Sequence, residues 1–185
     1  MPISKTDLPG LLIYEPKVFE DSRGYFFESF NKALFLQEGM EINFVQDNQS
    51  SSQFGVIRGL HYQLNPKAQA KLIRVLSGKI LDIVVDIRKG SPGYEKQFII
   101  ELSAENKKQL FIPKGFAHGF SVLSERAEVF YKCDEYYSPD LEAGIHHNDA
   151  QLKIDWQIPA GKELVSEKDQ KLSSFTDHKN NFNFQ

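Results

Sequence analysis

Cysteine occurs once in this 185-residue sequence, at Cys133, which leaves no second thiol for an intrachain disulfide and no thiolate cluster for zinc. A lone cysteine is more often a small buried apolar residue than a nucleophile. No apolar run approaches the roughly 20 residues that a membrane-spanning helix needs. The opening residues, MPISKTDLPG, lack the basic start and apolar run of a secretory signal. A cytoplasmic location is the expectation. Basic excess is missing too: 22 lysines and arginines stand against 25 aspartates and glutamates, a formal charge of -3. Non-specific nucleic-acid binding, which needs a broad cationic face, is therefore not expected. A few local cations for an anionic small ligand are compatible with that balance.

Helical patterning is scarce as well. Only NKALFLQEG reads as a helix in the first half, ending at Gly39 as helices often do, and a short helix is predicted near SEKDQKL. What dominates is a succession of short strand-like runs separated by turn chemistry: LLIYEPKVF, GYFFESF, GVIRGLHYQ, KLIRVLSG, KILDIVVDIR, QFIIELS, QLFIPKG, HGFSVL and EVFYKCDEYY. Such spacing predicts an all-β sandwich or barrel in a single domain. LSGK predicts a hairpin turn in which Gly78 takes positive φ. In KILDIVVDIR, alternation puts Leu81, Ile83, Val85 and Ile87 on one face and Asp82, Val84, Asp86 and Arg88 on the other, the second reading as the wet one. In KLIRVL, Lys71 heads an otherwise apolar row with Ile73 and Val75, suited to a barrel interior. The last residues, DHKNNFNFQ, read as a tail that frays.

GVIRGLHYQ combines strand formers with Arg58 and His61, which a chain does not bury without a reason. Their odd spacing puts them on opposite faces of a regular strand. A bulge at Gly59 would bring both to one pocket. A metal site wants clustered ligands, such as an H-x-H pair with a carboxylate, and GLHYQ has a single histidine with no carboxylate nearby. No metal is expected. His61 suits general-base work, and such a base wants an acidic partner. Asp169, Asp82 and Asp86 all qualify by type. His118, in an aromatic row with Phe116 and Phe120, is by pattern alone more often a hydrogen-bonded core histidine. Tyr131, sharing a face with Val129 and Cys133, fits a core tyrosine equally well. His146 and His147 read as loop. Arg23, Arg58 and Lys71 are candidate phosphate ligands, each more often a solvated cation.

Seven motifs decide more than any one residue. EDSRGYFFESF, QDNQSSSQFGVIRGLHYQ, AQAKLIRVLSGKILDIVVDIRKGSP, QLFIPKGFAHGFSVLSE, VFYKCDEYYSPDLEAGIHHND, LKIDW and SEKD run in order from about Glu20 to Asp169. In that order they resemble the dTDP-4-dehydrorhamnose 3,5-epimerase family. The resemblance implies a cupin-type jelly-roll over residues 1–185, with short peripheral helices and 170–185 as a peripheral tail. It implies a homodimer, no metal and no cofactor. It implies His61 as base with Asp169 as its dyad carboxylate, Tyr131 as proton donor and Lys71 facing the keto oxygen. It further implies Arg23, Phe26, Glu28, Gln46, Asn48, Arg58, His118, Tyr137 and Lys168 as substrate-binding residues. Ser51 and Phe54 stand where an arginine is common, and Val165 where leucine is usual. An epimerase acting at a single centre shares most of these residues. A non-catalytic sugar-nucleotide-binding cupin would need neither Tyr131 nor Asp169.

Overall fold

The strand from Lys79 to Asp86 has no wet face. Ile80, Leu81, Asp82, Ile83, Val84, Val85 and Asp86 are all buried. This is the computed structural model of the protein, describing residues 2–184. Its even-numbered side chains face the interior between two sheets, and its odd-numbered ones are covered by a further layer of chain. The expected wet face of KILDIVVDIR is thereby corrected. Alternation separated the two faces correctly but could not say that both are covered.

Numbered along the chain, one sheet runs in the order β1 (Ile3–Lys5), β2 (Leu12–Tyr14), β10 (Gln109–Ile112), β7 (Lys71–Ser77), β12 (Arg126–Cys133) and β5 (Gln46–Gln53). The other runs β13 (Glu142–Gly144), β6 (Val56–Gln63), β11 (Phe116–Val122), β8 (Lys79–Asp86) and β9 (Gln97–Ser103), with β14 (Leu164–Val165) pairing in parallel on β6. Two sheets packed face to face with crossing connections make the jelly-roll. Ile73, Val75, Val84, Leu110, Phe120 and Val129 fill the space between them. Residues 77–79 do not form the hairpin expected from LSGK. Gly78 does take φ +73, but β7 and β8 lie in different sheets, so the turn passes the chain from one layer to the other.

The sequence-predicted helix is present as α1 (Lys32–Gln37), N-capped by the Asn31 side chain on the Ala33 N–H and followed by Gly39 at φ +80. Its Phe35 is fully buried on the outer face of the first sheet with Leu12, Tyr14, Leu72 and Phe111. Such a ring contributes about 1.5–3 kcal/mol. A small hairpin, β3 (Phe19–Asp21) with β4 (Gly24–Phe26), stands out into solvent.

Residues 175–184 do not fray. Phe175 and Phe182 are buried with Trp156 against the outer face of the second sheet, and the Phe184 N–H donates to the Lys89 carbonyl at 2.9 Å. Asp149 fixes this layer. Its Oδ1 accepts the Gln151 and Leu152 N–H groups, each at 2.9 Å, and its Oδ2 accepts that of Phe175 at 2.8 Å.

Candidate active site

β6 delivers both of its unusual residues to one side. Gly59 adopts φ +126, and a Cβ there would stand 2.5 Å from the Gly119 Cα. Only glycine fits so close to β11. The β6–β11 register shifts between His118 and Phe120, as a bulge requires. Ile57, Leu60 and Tyr62 consequently point outward into the covered layer. Arg58 and His61 both line a cavity of about 630 Å³ that Lys168 and Asp169 also line.

Of the three carboxylates open by type, Asp169 takes His61. The His61 Nε2 lies 2.8 Å from the Asp169 Oδ1. Asp169 arrives on a single 3-10 turn, Asp169–Lys171, in the stretch predicted as a short helix, and is only 4% exposed. Its Oδ2 accepts the Gly59 N–H at 3.2 Å, and its own N–H donates to the Ser166 Oγ at 3.1 Å. Burial pushes the Asp169 carboxyl up, but hydrogen bonds from His61, Gly59 and Ser166 outweigh it and hold the group below its ordinary value. An ionised Asp169 only accepts, so it places the proton on His61 Nε2 and leaves Nδ1 as the basic nitrogen.

The facing wall comes from the first sheet. Lys71 pairs with Cys133, which pairs with Gln46; Ile73 pairs with Tyr131, which pairs with Asn48. Directly opposed residues share a face, and this one is the interior. The Lys71 Nζ lies 5.9 Å from the Tyr131 ring centroid. Burial moves the Lys71 ammonium down from its ordinary range, opposed by Cys133, Asp82 and Glu142. Burial moves the Tyr131 phenol up, helped by Cys133 and Glu142 and opposed by Arg58, so it holds its proton at neutral pH. Cys133 is fully buried, as its composition suggested. It accepts from the Asn48 Nδ2 at 3.7 Å.

A polar cluster at the end of β13 ties further residues to the same place. Glu142 accepts from the Tyr137 hydroxyl and from the Lys168 Nζ, each at 2.6 Å. The Gln46 Oε1 accepts the Tyr137 N–H at 3.0 Å. Burial raises the Glu142 carboxyl, but Lys168, Tyr137 and the field of His61 bring it below its ordinary value. His118 pairs with the fully buried Asp82, its Nε2 lying 3.0 Å from Oδ2. Arg58 is oriented by the Ser52 hydroxyl at 3.1 Å.

Thus His61, Asp169, Tyr131, Lys71, Gln46, Asn48, Arg58, His118, Tyr137 and Lys168 converge. Arg23, Phe26 and Glu28 do not join them within one chain. Arg23 and Phe26 line a separate hollow on the β3–β4 hairpin. There Arg23 is paired with Asp21, and Phe26 is 67% exposed. Glu28 meets Asn31 and borders a hollow shared with Tyr14 and Leu34. The Arg74 guanidinium lies over the ring of Phe27, the residue that follows β4. Ile73 and Val75 beside Arg74 point inward, so the chain leaving the hairpin lies on the outside of the first sheet. Sequence reasoning did not find Glu142, Ser52 or Ser166. The only signal for Glu142 was a carboxylate inside a matching motif. Among the described residues, no group of three or more His, Cys, Asp or Glu side chains is placed to hold a metal ion.

The model of the family described as dTDP-4-dehydrorhamnose 3,5-epimerase matches residues 5–177. The chain belongs to that family. It is 51% identical over 178 residues to the dTDP-4-dehydrorhamnose 3,5-epimerase of Shigella flexneri, covering 96% of this chain and 97% of that protein. It is similar to the crystal structure of a dTDP-6-deoxy-D-glucose-3,5-epimerase from Legionella pneumophila Philadelphia 1 in complex with dTDP-4-keto-L-rhamnose. That match has a TM-score of 0.88 and 47% identity, covering 93% of this chain and 91% of that one. A 3'-monoepimerase from Streptomyces bikiniensis in complex with dTDP-quinovose shares the fold at TM-score 0.85 but only 31% identity, covering 91% of this chain and 85% of that one. As a member of the 3,5-epimerase family the protein is an isomerase of the dTDP-rhamnose pathway, and the cupin-type jelly-roll is the family's fold.

Proposed function

We propose that this chain converts dTDP-4-keto-6-deoxy-D-glucose to dTDP-4-keto-L-rhamnose by inverting C3 and C5 in turn. The observation that carries the reading is a base and an acid on the two opposed sheets: His61, held by Asp169, on β6, and Tyr131 beside Lys71 on the interior face of the first sheet. The C4 ketone acidifies the C–H bonds on both flanking carbons. The His61 Nδ1 takes one of those protons, the electron pair moves into the ring as an enolate, and the Lys71 ammonium meets the developing oxyanion. At 4 Å two unit charges attract by about 1 kcal/mol in water and about 4 kcal/mol at the effective dielectric of a protein site. The Tyr131 hydroxyl then returns a proton from the opposite side, the ketone re-forms, and the centre is inverted. His61 releases its proton to water and Tyr131 regains one. Nothing is oxidised or reduced overall, so the step calls for no cofactor.

Arg58, Lys168 and Tyr137 are assigned to the nucleotide diphosphate and base, with His118, Gln46 and Asn48 beside the sugar and nucleoside. The same reading makes the enzyme a cytoplasmic homodimer that binds no nucleic acid. Supporting a second copy, Phe19, Tyr25 and Phe26 are 54%, 61% and 67% exposed on one hairpin that also carries Arg23. Exposed aromatics on a projecting element are typical of a docking surface. Higher identity to the double epimerase than to the monoepimerase favours action at both carbons. Proton NMR of dTDP-4-keto-6-deoxy-D-glucose in D₂O tests this. Deuterium at both C3 and C5 is the expected outcome. Label at one carbon would assign a single-centre epimerase, and no label with dTDP bound would overturn the activity.

A further inference from the structure

β8 carries two carboxylates on its interior face, Asp82 and Asp86, and both are 0% exposed. Burying a carboxylate among apolar neighbours such as Ile80 and Val84 is costly unless it is compensated. Asp86 is fully compensated by structure. It accepts from the Arg88 Nε at 2.8 Å, the second Arg88 nitrogen at 2.7 Å and the Ser91 hydroxyl at 2.6 Å. Asp82 is not. Among the described residues its carboxylate meets one donor only, the His118 Nε2, at 3.1 and 3.0 Å from its two oxygens. Among the described residues, no lysine or arginine lies within ion-pair distance of it, and Lys71, for its part, has no ion pair with any of them.

We propose that Asp82 is a positioning residue of this site: its buried carboxylate fixes the ring of His118 and supplies the counter-charge against which the Lys71 ammonium is held in a desolvated pocket. The proposal rests on the epimerase reading above. Lys71 stands on the interior face of β7, paired with Cys133 and beside Tyr131 of β12, and Asp82 stands on the opposed interior face of β8 with His118 of β11 bound to it. The fields of Cys133, Asp82 and Glu142 all favour the Lys71 ammonium. Glu142 is already bound to Lys168 and Tyr137. Of these two carboxylates, Asp82 is the one to which no described lysine or arginine is bound. Removing that charge leaves the ammonium harder to keep, so Lys71 loses its proton at lower pH. On this proposal the alkaline limb of the rate profile is the loss of the Lys71 proton, a group whose burial moves it down from its ordinary range.

The test compares Asp82→Asn, Asp82→Glu and Asp86→Asn by deuterium exchange into dTDP-4-keto-6-deoxy-D-glucose across pH. Absence of exchange in the unaltered enzyme would overturn the epimerase reading itself. Given exchange, Asp82→Asn is expected to lower kcat about 30-fold or more with KM within about threefold, and to move the alkaline limb at least about half a pH unit toward acid. Asp82→Glu, which keeps the charge, is expected to restore the limb. Asp86→Asn is expected to lower the Tm and leave the limb in place. A slower Asp82→Asn enzyme with an unmoved limb has lost packing only, and that result overturns the proposal. If Asp82→Asn does not bind dTDP, Asp82→Ser, which leaves room for water, is read in the same way. Failure of both to bind dTDP makes Asp82 a folding residue and equally overturns it.

Discussion

The His61 Nε2 and the Asp169 Oδ1 lie 2.8 Å apart although 108 residues separate them in the chain. Everything proposed for the chemistry depends on that contact, because it decides which imidazole nitrogen is free to accept a proton. Asp169→Asn offers an amide where the carboxylate accepted, favouring the wrong tautomer. The expected loss in kcat is between about 10² and 10⁴, with dTDP affinity kept. Normal turnover in this variant would remove Asp169 from the dyad.

Tyr131 sits on the wall facing that base, with a phenol that burial keeps protonated. Tyr131→Phe is expected to exchange substrate protons with D₂O while forming little inverted product, since removal is intact and delivery from the other side is not. Loss of exchange together with product would take the acid role away from Tyr131.

Gly59 is the hinge of the site. Alanine there would set a Cβ 2.5 Å from the Gly119 Cα and 2.8 Å from the His118 carbonyl oxygen, both backbone atoms that cannot step aside. Gly59→Ala is expected to cost about 3–4 kcal/mol. It is also expected to lower turnover beyond what stability explains, since Arg58 and His61 would no longer share a side. Thermal melts paired with single-turnover rates separate the two effects.

Asp149 ties down the covering layer through three backbone N–H groups. Asp149→Ala leaves those donors unmatched, and a loss of about 3 kcal/mol is expected. In a chain of this size that lowers the Tm by about 6–12 °C. Scanning calorimetry measures it directly.

The same carboxylates set the acid limit of stability. Burial raises Asp149 and Asp169, but hydrogen bonds from Phe175, Leu152 and Gln151 in one case, and from His61, Gly59 and Ser166 in the other, bring both below their ordinary values. A folded pKa below the unfolded one, about 3.9, gives stability that is fully present above that pH and is lost as pH falls through the folded values. Urea midpoints are expected to hold from pH 7 to about 5 and to fall steeply below about 4. A flat curve into that range would contradict the hydrogen bonding described.

Strands were legible because alternation and turn residues are local properties, and the same holds for α1 with its Asn31 cap and Gly39 stop. Gly59 was legible as a bulge because odd spacing and a glycine stood together. Which carboxylate serves His61 was not readable from spacing. Asp82, Asp86 and Asp169 are alike by type, and only the tertiary path sends one to His61, one to His118 and one to Arg88. Motif order supplied that choice where periodicity could not. The turn at Gly78 was misread as a hairpin because a positive φ fixes the bend and not the sheet that the chain enters next. The final phenylalanines were taken for a fraying tail because two apolar residues among polar ones carry no period. Arg23, Phe26 and Glu28 carry the family's motif but lie outside the pocket of one chain, a relationship that no linear pattern encodes.

The segment that carries Asp169 has little regular pairing and is held mainly by side-chain bonds. β14 contributes two residues of parallel pairing, and the turn after it is a single 3-10 turn. His61, by contrast, belongs to a strand flanked by β11 on one edge and by β13 and β14 on the other. Local opening of the first therefore requires far less free energy than global unfolding. Opening of that segment alone would leave the barrel folded and its base without a partner, which makes catalytic competence separable from foldedness. On the proposed reading, substrate bound beside Lys168 and Asp169 would favour the closed form.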